Sequence, residues 1–489
     1  MNVLYVTSEA FPFASTGGLA DVAGSLPQAL NREGMDCRIV MPLYGKIPEE
    51  FRKNMKFLKS FSVPVAWRRQ HCGIFMSEYD DTTYYFIDNE YYFKEPPLYG
   101  HGNDGERFAF FSRAALEILP YIDFRPDIIN ANDWQAALVP IYQNVLYSQN
   151  EWYKGIKTVI TIHNIAFQGQ YGFDIFDNVL GLPQWARSVV DFHGGVNLLK
   201  GAIETADFVV TVSPRYAHEI AGNHGDTTGF DFGSGLTHFI SARDWKLGGI
   251  VNGLGKSFDP ATDKNLYKNY TVKNYKSGKK ENKLRLQSDL GLDSRADVPL
   301  IGVVSRVDTK QKGTSLITEA MYSGILDNND VQFIFLGSAA HGDGDGARME
   351  DALRELEQRY RGRVVSYIGF VPKIAQRIYA ASDIFLVPSL YEPCGLTQLI
   401  ALKYGAIPVV RETGGLADTI TDSGNGDGNG FTFKNYSGEE LKHAIERALC
   451  GYWNREGWDL LTKRAMNCDY SWDTTSVVHY KNLFEHLLK

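Results

Sequence analysis

SLYEPCGLTQLIALKYGAIPVVRETGGLADTI, residues 389–420, is the stretch from which the rest of this chain can be read. It begins where an apolar strand, residues 384–387, runs out. Glu392, Pro393 and Cys394 turn the chain, and Gly395 opens a helical run with Leu396, Leu399, Leu402 and Lys403 at helical spacing. A second short strand, residues 407–410, ends in Arg411 and the pair Gly414 and Gly415. Strand-to-helix turns of this kind offer backbone N–H groups and a positive helix end, which suits a phosphate or diphosphate. The hexapeptide TGGLAD at 413–418 recurs at 16–21. A cleft with one such loop on each wall is the arrangement this predicts.

Working outward, apolar strands alternate with helical stretches in both halves. In the first half strands are expected at residues 3–7, 37–41, 84–87, 127–130, 158–162 and 208–212, with one helix over 19–30 following the first glycine loop. In the second half they are expected at 300–305, 331–336, 364–368, 384–387 and 407–410. This alternation implies two mostly parallel, doubly wound α/β units. In such sheets ligands bind beyond the carboxyl ends of the strands. Residues 264–285, rich in Lys, Asn and Tyr, read as a solvated linker entering a helix. GDGDG at 342–346 and SGNGDGNG at 423–430 lack the acid spacing of a calcium loop and read as surface loops.

The bulk numbers narrow the class. A chain of 489 residues exceeds one core and predicts two or three domains. A net charge of −8 gives no reason to expect a nucleic acid or a membrane surface as partner. The five cysteines are scattered without a CxxC pair, which predicts reduced thiols in a cytoplasmic protein.

The chemistry-bearing residues sit at strand ends. Arg306 and Lys312, in VVSRVDTKQKG, are two cations able to clamp a departing diphosphate. Glu392 places a carboxylate where sugar hydroxyls or positive charge could lie, and Cys394 to Thr397 add N–H groups and a hydroxyl. Asp133 and His163, the latter followed by Asn164, end two strands of the first half. A GxSxG elbow, an HExxH pair and a Walker A loop are absent, and the glycine pairs are not GxGxxG, so a nicotinamide cofactor is not expected.

From end to end the chain resembles the bacterial glycogen synthases of starch-synthase type, retaining glycosyltransferases of the GT-B fold with two Rossmann-like domains facing across a cleft. The resemblance rests on TSEAFPFASTGGLADVAGSLPQAL, FIDNEYYF, ERFAFFSRAALE, NDWQAALVP, TIHNIAFQGQYG, ADFVVTVSPRYAHEI, VNG, VVSR with QKG, SLYEPCGLTQLIALKYG and RETGGLADTI. Relatives with a Glu-x7-Glu pattern carry a second acid where this chain has Ile400. The resemblance implies an N-terminal acceptor-side domain over 1–250, a donor-side domain over 251–469, and a C-terminal helix over 470–489 returning to the first.

It also implies transfer of glucose from a nucleotide sugar, ADP-glucose before UDP-glucose, to the non-reducing end of an α-1,4-glucan, with no metal and no cofactor. Arg306 and Lys312 would take up the diphosphate charge, and Glu392 would hold glucose hydroxyls. Gly395, Leu396 and Thr397, beside Cys394, would hold phosphate, and Phe370 would stack on the base. His163 would offer its backbone carbonyl near the reacting carbon, with Asp133 positioning acceptor or ring. Asn164 and Asn252 would bind sugar hydroxyls, and Ser15, Gly17 and Gly18 would line the donor from the first domain.

Three departures from the family pattern fall at these sites. Ser15 stands where the family's KTGGL has Lys, a loss of about 1.5–3 kcal/mol if that cation meets phosphate. Asn252–Gly253–Leu254–Gly255 lacks the acid of NG-(Val/Ile)-Asp. Arg306 and Lys312 are one residue further apart than usual, so the loop must bulge or Lys310 must replace Lys312. These changes set a glucan-binding or regulatory pseudoenzyme, and a GT-B relative acting on another acceptor, beside the active synthase as alternatives.

Overall fold

The computed structural model describes residues 1–223, 225, 228–340 and 342–489. The chain divides into two compact units. The first comprises Met1–His224, Asp231–Gly255 and Ser471–Lys489, and the second Gly225–Phe230 and Lys256–Tyr470.

The first unit is built on strands β1 (Asn2–Val6), β2 (Asp36–Pro42), β3 (Lys56–Val65), β4 (Arg68–Tyr79), β5 (Thr82–Asp88), β6 (Ile128–Asn132), β7 (Lys157–Ile162), β11 (Phe208–Thr211) and β12 (Leu247–Gly249), with a small separate sheet of β8 (Gln170–Tyr171), β9 (Asp191–Phe192) and β10 (Gly195–Asn197). The main sheet runs β12-β11-β7-β6-β1-β2-β5-β4-β3. It is parallel from β12 to β5, and β4 and β3 extend it as an antiparallel hairpin. The central strands are buried on both faces, which is why residues 3–6, VLYV, read as an apolar run, while KTVITI carries Thr158 and Thr161 buried among its apolar residues. The β3–β4 hairpin escapes such a reading because β3, KFLKSFSVPV, is exposed or half-buried along most of its length.

One local expectation is corrected. The helix over 19–30 is two helices, Gly18–Ala23 and Leu26–Arg32, with Pro27 fixed in the first turn of the second. The C-terminal segment 471–489 lies within the first unit: Arg32 Nε donates to Asp473 at 2.9 Å, Ser476 Oγ donates to the Val251 carbonyl at 2.6 Å, and Lys481 pairs with Glu33 at 3.1 Å.

The second unit has one six-stranded parallel sheet of β13 (Leu300–Val304), β14 (Gln332–Gly337), β15 (Val364–Ile368), β16 (Ile384–Val387), β17 (Ile407–Arg411) and β18 (Phe431–Phe433), in the order β15-β14-β13-β16-β17-β18. The lysine-rich stretch is less solvated than its composition suggests. On the helix Tyr275–Leu290, Lys279 is buried and donates to the carbonyls of Ala380, Ser382 and Tyr404, while Lys283 pairs with Asp383 at 2.7 Å. GDGDG is not a free loop either: Asp343 caps the helix Gly344–Arg359, accepting from the Asp345 and Gly346 amides. Among the described residues no helix is long and apolar enough to cross a membrane.

Candidate active site

Each parallel sheet has one place where the strand order reverses, and the loops leaving the two strands there part to leave a crevice. In the first unit it lies between β1 and β6, because the chain winds outward through β2 on one side and β7 on the other. In the second it lies between β13 and β16. The loops leaving β1 and β6 carry Glu9 to Gly18 and Asp133. Those leaving β13 and β16 carry Arg306 to Lys312 and Glu392 to Thr397.

In the first unit Asp133 follows β6 with φ of +54°, a conformation that costs a non-glycine residue about 1–3 kcal/mol and that surrounding structure must enforce. Its Oδ1 accepts from the His163 amide at 2.7 Å and the Asn164 amide at 3.5 Å, joining the ends of β6 and β7. The N–H of the 163–164 peptide is thereby aimed at Asp133, and the His163 carbonyl points the opposite way. Burial pushes the Asp133 carboxyl up to about 7, with the Glu9 charge adding to the effect and the two amides opposing it.

Burial also pushes the His163 imidazole down to about 3, so the ring is neutral. Asn132 Nδ2 donates to the Val6 and Asn130 carbonyls, leaving its Oδ1 to accept from His163 Nε2 at 3.0 Å. That assigns the ring proton to Nε2. Asn164 turns its side chain inward to its own loop, where Oδ1 accepts from the Ala166 amide at 3.0 Å. Asn252 is buried, and its Oδ1 finds no donor among the described residues.

The glycine loop after β1 is anchored by Glu9, a residue that reasoning from sequence passed over. Glu9 is 2% exposed, and its Oε2 accepts from both the amide and the hydroxyl of Thr16 at 2.7 Å. Burial raises its carboxyl to about 7, against those two hydrogen bonds. The available signal was an acid three residues beyond a buried strand and just ahead of a glycine pair. Ser15, Gly17 and Gly18 are exposed, and the Gly17, Gly18 and Leu19 amides have no acceptor among the described residues.

In the second unit Lys312 Nζ donates to Glu392 Oε2 at 2.6 Å, and Ser389 Oγ donates to the same oxygen at 2.8 Å. Glu392 is buried, and its Oε1 meets no donor among the described residues. The long Arg306–Lys312 interval is absorbed by a turn in which Asp308 Oδ1 accepts from the Lys310 and Gln311 amides at 2.7 and 2.9 Å. The loop bulges, and Lys312 keeps its contact with Glu392 while Lys310 stays exposed. Arg306 is 62% exposed, with Nη2 donating to Gln311 Oε1 at 3.0 Å. The Gly395, Leu396 and Thr397 amides, at the start of the helix Thr397–Lys403, have no acceptor among the described residues, whereas Cys394 is buried and its carbonyl accepts from Gln398 at 2.9 Å. Phe370, just past β15, is 88% exposed.

The second TGGLAD loop is not the anion cradle expected of it. The Gly415 amide donates to the carbonyls of Glu392 at 3.0 Å and Pro393 at 3.2 Å, and the Leu416 amide donates to the Thr413 carbonyl. Arg411 is buried, with its guanidinium spent on the carbonyls of Lys434 and Leu390. Among the described residues no cluster of three or more His, Cys, Asp or Glu side chains could hold a metal ion.

Two Rossmann-like units, with cations and a carboxylate at one switch point, and acids at the other beside a neutral histidine on the next strand end, define a glycosyltransferase of the GT-B fold. Residues 2–242 match the starch synthase catalytic domain, and residues 298–450 match the glycosyl transferases of group 1. A glycogen synthase of Clostridium perfringens is 45% identical over 494 residues, covering 100% of this chain and 99% of that protein. One of Geobacillus stearothermophilus is 44% identical, covering 100% of this chain and 98% of its own. The catalytic domain of starch synthase IV from Arabidopsis thaliana, solved bound to ADP and acarbose, superposes with a TM-score of 0.88 at 32% identity, covering 99% of each chain. The chain belongs to the glycogen synthase and starch synthase family of glycosyltransferases.

Proposed function

We propose that this enzyme transfers glucose from ADP-glucose to the non-reducing end of an α-1,4-glucan, with retention at the anomeric carbon. The observation that carries the reading is the second-unit switch point, where Lys312 pairs with the buried Glu392, Arg306 lies exposed on the same loop as Lys312, and three amides after Glu392 have no acceptor among the described residues. When the glycosidic bond to the diphosphate breaks, negative charge accumulates on the leaving oxygens. The two cations and the amides of Gly395, Leu396 and Thr397 are suited to absorb it. Glu392 Oε1 is free to accept glucose hydroxyls, while Lys312 and Ser389 hold its partner oxygen in place. Phe370 offers an exposed ring for stacking on the base.

On the first unit the His163 carbonyl lies opposite the N–H that Asp133 holds, and its role is to stabilise positive charge at the reacting carbon. Asp133 itself positions the acceptor or the ring. The buried Asn252 Oδ1 is suited to receive a sugar hydroxyl, Asn164 lines the same strand end, and Ser15, Gly17 and Gly18 border the diphosphate. ADP as the nucleotide is supported by the ADP-bound relative among starch synthases. The test is incubation with glycogen and either ADP-[14C]glucose or UDP-[14C]glucose. Label should enter the polymer from the ADP donor with higher kcat/KM, and incorporation from neither donor would remove the reading.

A further inference from the structure

Glu9 and Glu392 are built alike although they lie in different units. Each is a buried glutamate in a loop leaving one of the two strands at its switch point. Each has Oε2 locked by a hydroxyl residue of the same loop: Thr16 holds Glu9 at 2.7 Å and Ser389 holds Glu392 at 2.8 Å. Each leaves Oε1 without a donor among the described residues. A carboxylate on a largely buried side chain that is bonded through only one oxygen, its other oxygen still reachable from solvent, keeps an acceptor open to a ligand.

The surroundings of Glu9 favour a neutral, hydroxyl-rich ligand. Asp21 and Asp133 add negative charge beside it, and Lys46 contributes the opposing charge. Ser8 and Tyr99 share a hydrogen bond of 2.8 Å alongside. We propose that Glu9 is a further substrate-binding residue of the transfer reaction: Oε2 fixes the Thr16 end of the glycine loop, and Oε1 accepts a hydroxyl from a glucosyl ring. The ring can be the acceptor's terminal glucose or the donor's glucose, and the local negative charge favours the acceptor. This rests on the glucosyl-transfer reading, so its test is binding instead of turnover.

The variant is Glu9→Gln, which keeps an oxygen for Thr16 and replaces the charged acceptor. Titration calorimetry with maltohexaose and, separately, with ADP-glucose reads its effect on the intact chain. The expected result is a roughly tenfold or greater loss of maltohexaose affinity, as for a charged hydrogen bond, with ADP-glucose affinity unchanged. A loss confined to ADP-glucose assigns the hydroxyl to the donor instead. Equal affinities of variant and wild type for both ligands, or no binding of either ligand by the wild type, overturns the proposal. A wild type that binds maltohexaose yet transfers no glucose separates a failure of the functional reading from a failure of this one.

Discussion

The same six residues, TGGLAD, occur once in each unit and do different work. At 16–21 a Cβ added to Gly17 or Gly18 would meet nothing within 4 Å, and their amides have no acceptor among the described residues. At 413–418 a Cβ on Gly415 would lie 2.3 Å from the Cys394 carbonyl oxygen, and one on Gly414 would lie 2.0 Å from that of Glu392. The first pair of glycines leaves room for a ligand. The second leaves room for the backbone of EPCG, and so sets where Glu392 sits. A glycine motif therefore reports close approach, and only its neighbours say whether a substrate or the protein itself is approaching.

The largest effect that sharpens this contrast is expected at the residue the second loop supports. Glu392→Ala should lower kcat by about 10³-fold, as for removal of a preorganised charged group, with circular dichroism unchanged. A variant within a few-fold of the wild type would detach the second loop from the chemistry. Next, Gly415→Ala should cost about 3 kcal/mol in urea unfolding, because the backbone it strikes cannot rotate away.

A smaller effect distinguishes the acid edge of the first unit. The fold raises Asp133 from its unfolded value near 4 to about 7, so its contribution to stability is whole below about pH 4 and is lost as pH rises through 7. Asp133→Asn removes that titration and retains an acceptor for the His163 amide. It should exceed the wild type by about 2 kcal/mol at pH 8, with the advantage closing towards pH 4, while activity falls. A constant difference across that range would contradict the burial argument. Smallest of all, Gly17→Ala should change stability by less than about 0.5 kcal/mol, since its backbone is extended, yet raise the donor KM. Equal stability losses for Gly17→Ala and Gly415→Ala would erase the distinction between the loops.

Much of this was legible in the sequence, for a physical reason. Parallel strands buried on both faces are largely apolar runs, and the candidate residues lie just beyond strand ends, so Asp133, His163, Arg306, Lys312 and Glu392 could be picked out by position. What escaped depended on contacts between distant residues. Lys279 looks solvated until carbonyls from residues 380, 382 and 404 enclose its ammonium. Arg411 looks like a phosphate ligand until the carbonyls of Lys434 and Leu390 claim it. Glu9 was visible in TSEAFPF, but an acid beside a glycine loop argues against phosphate until its hydrogen bonds to Thr16 are seen. The one-residue insertion between Arg306 and Lys312 posed a question that only the Asp308 turn could answer.

The proposed division of labour, with cations of the second unit holding the nucleotide and the acid edge of the first serving the sugar, is tested most directly by ADP affinity. Calorimetry on Lys312→Ala and Asp133→Asn should show ADP binding weakened roughly tenfold or more in the first and unchanged in the second. Full affinity in Lys312→Ala, or an equal loss in Asp133→Asn, would contradict the account.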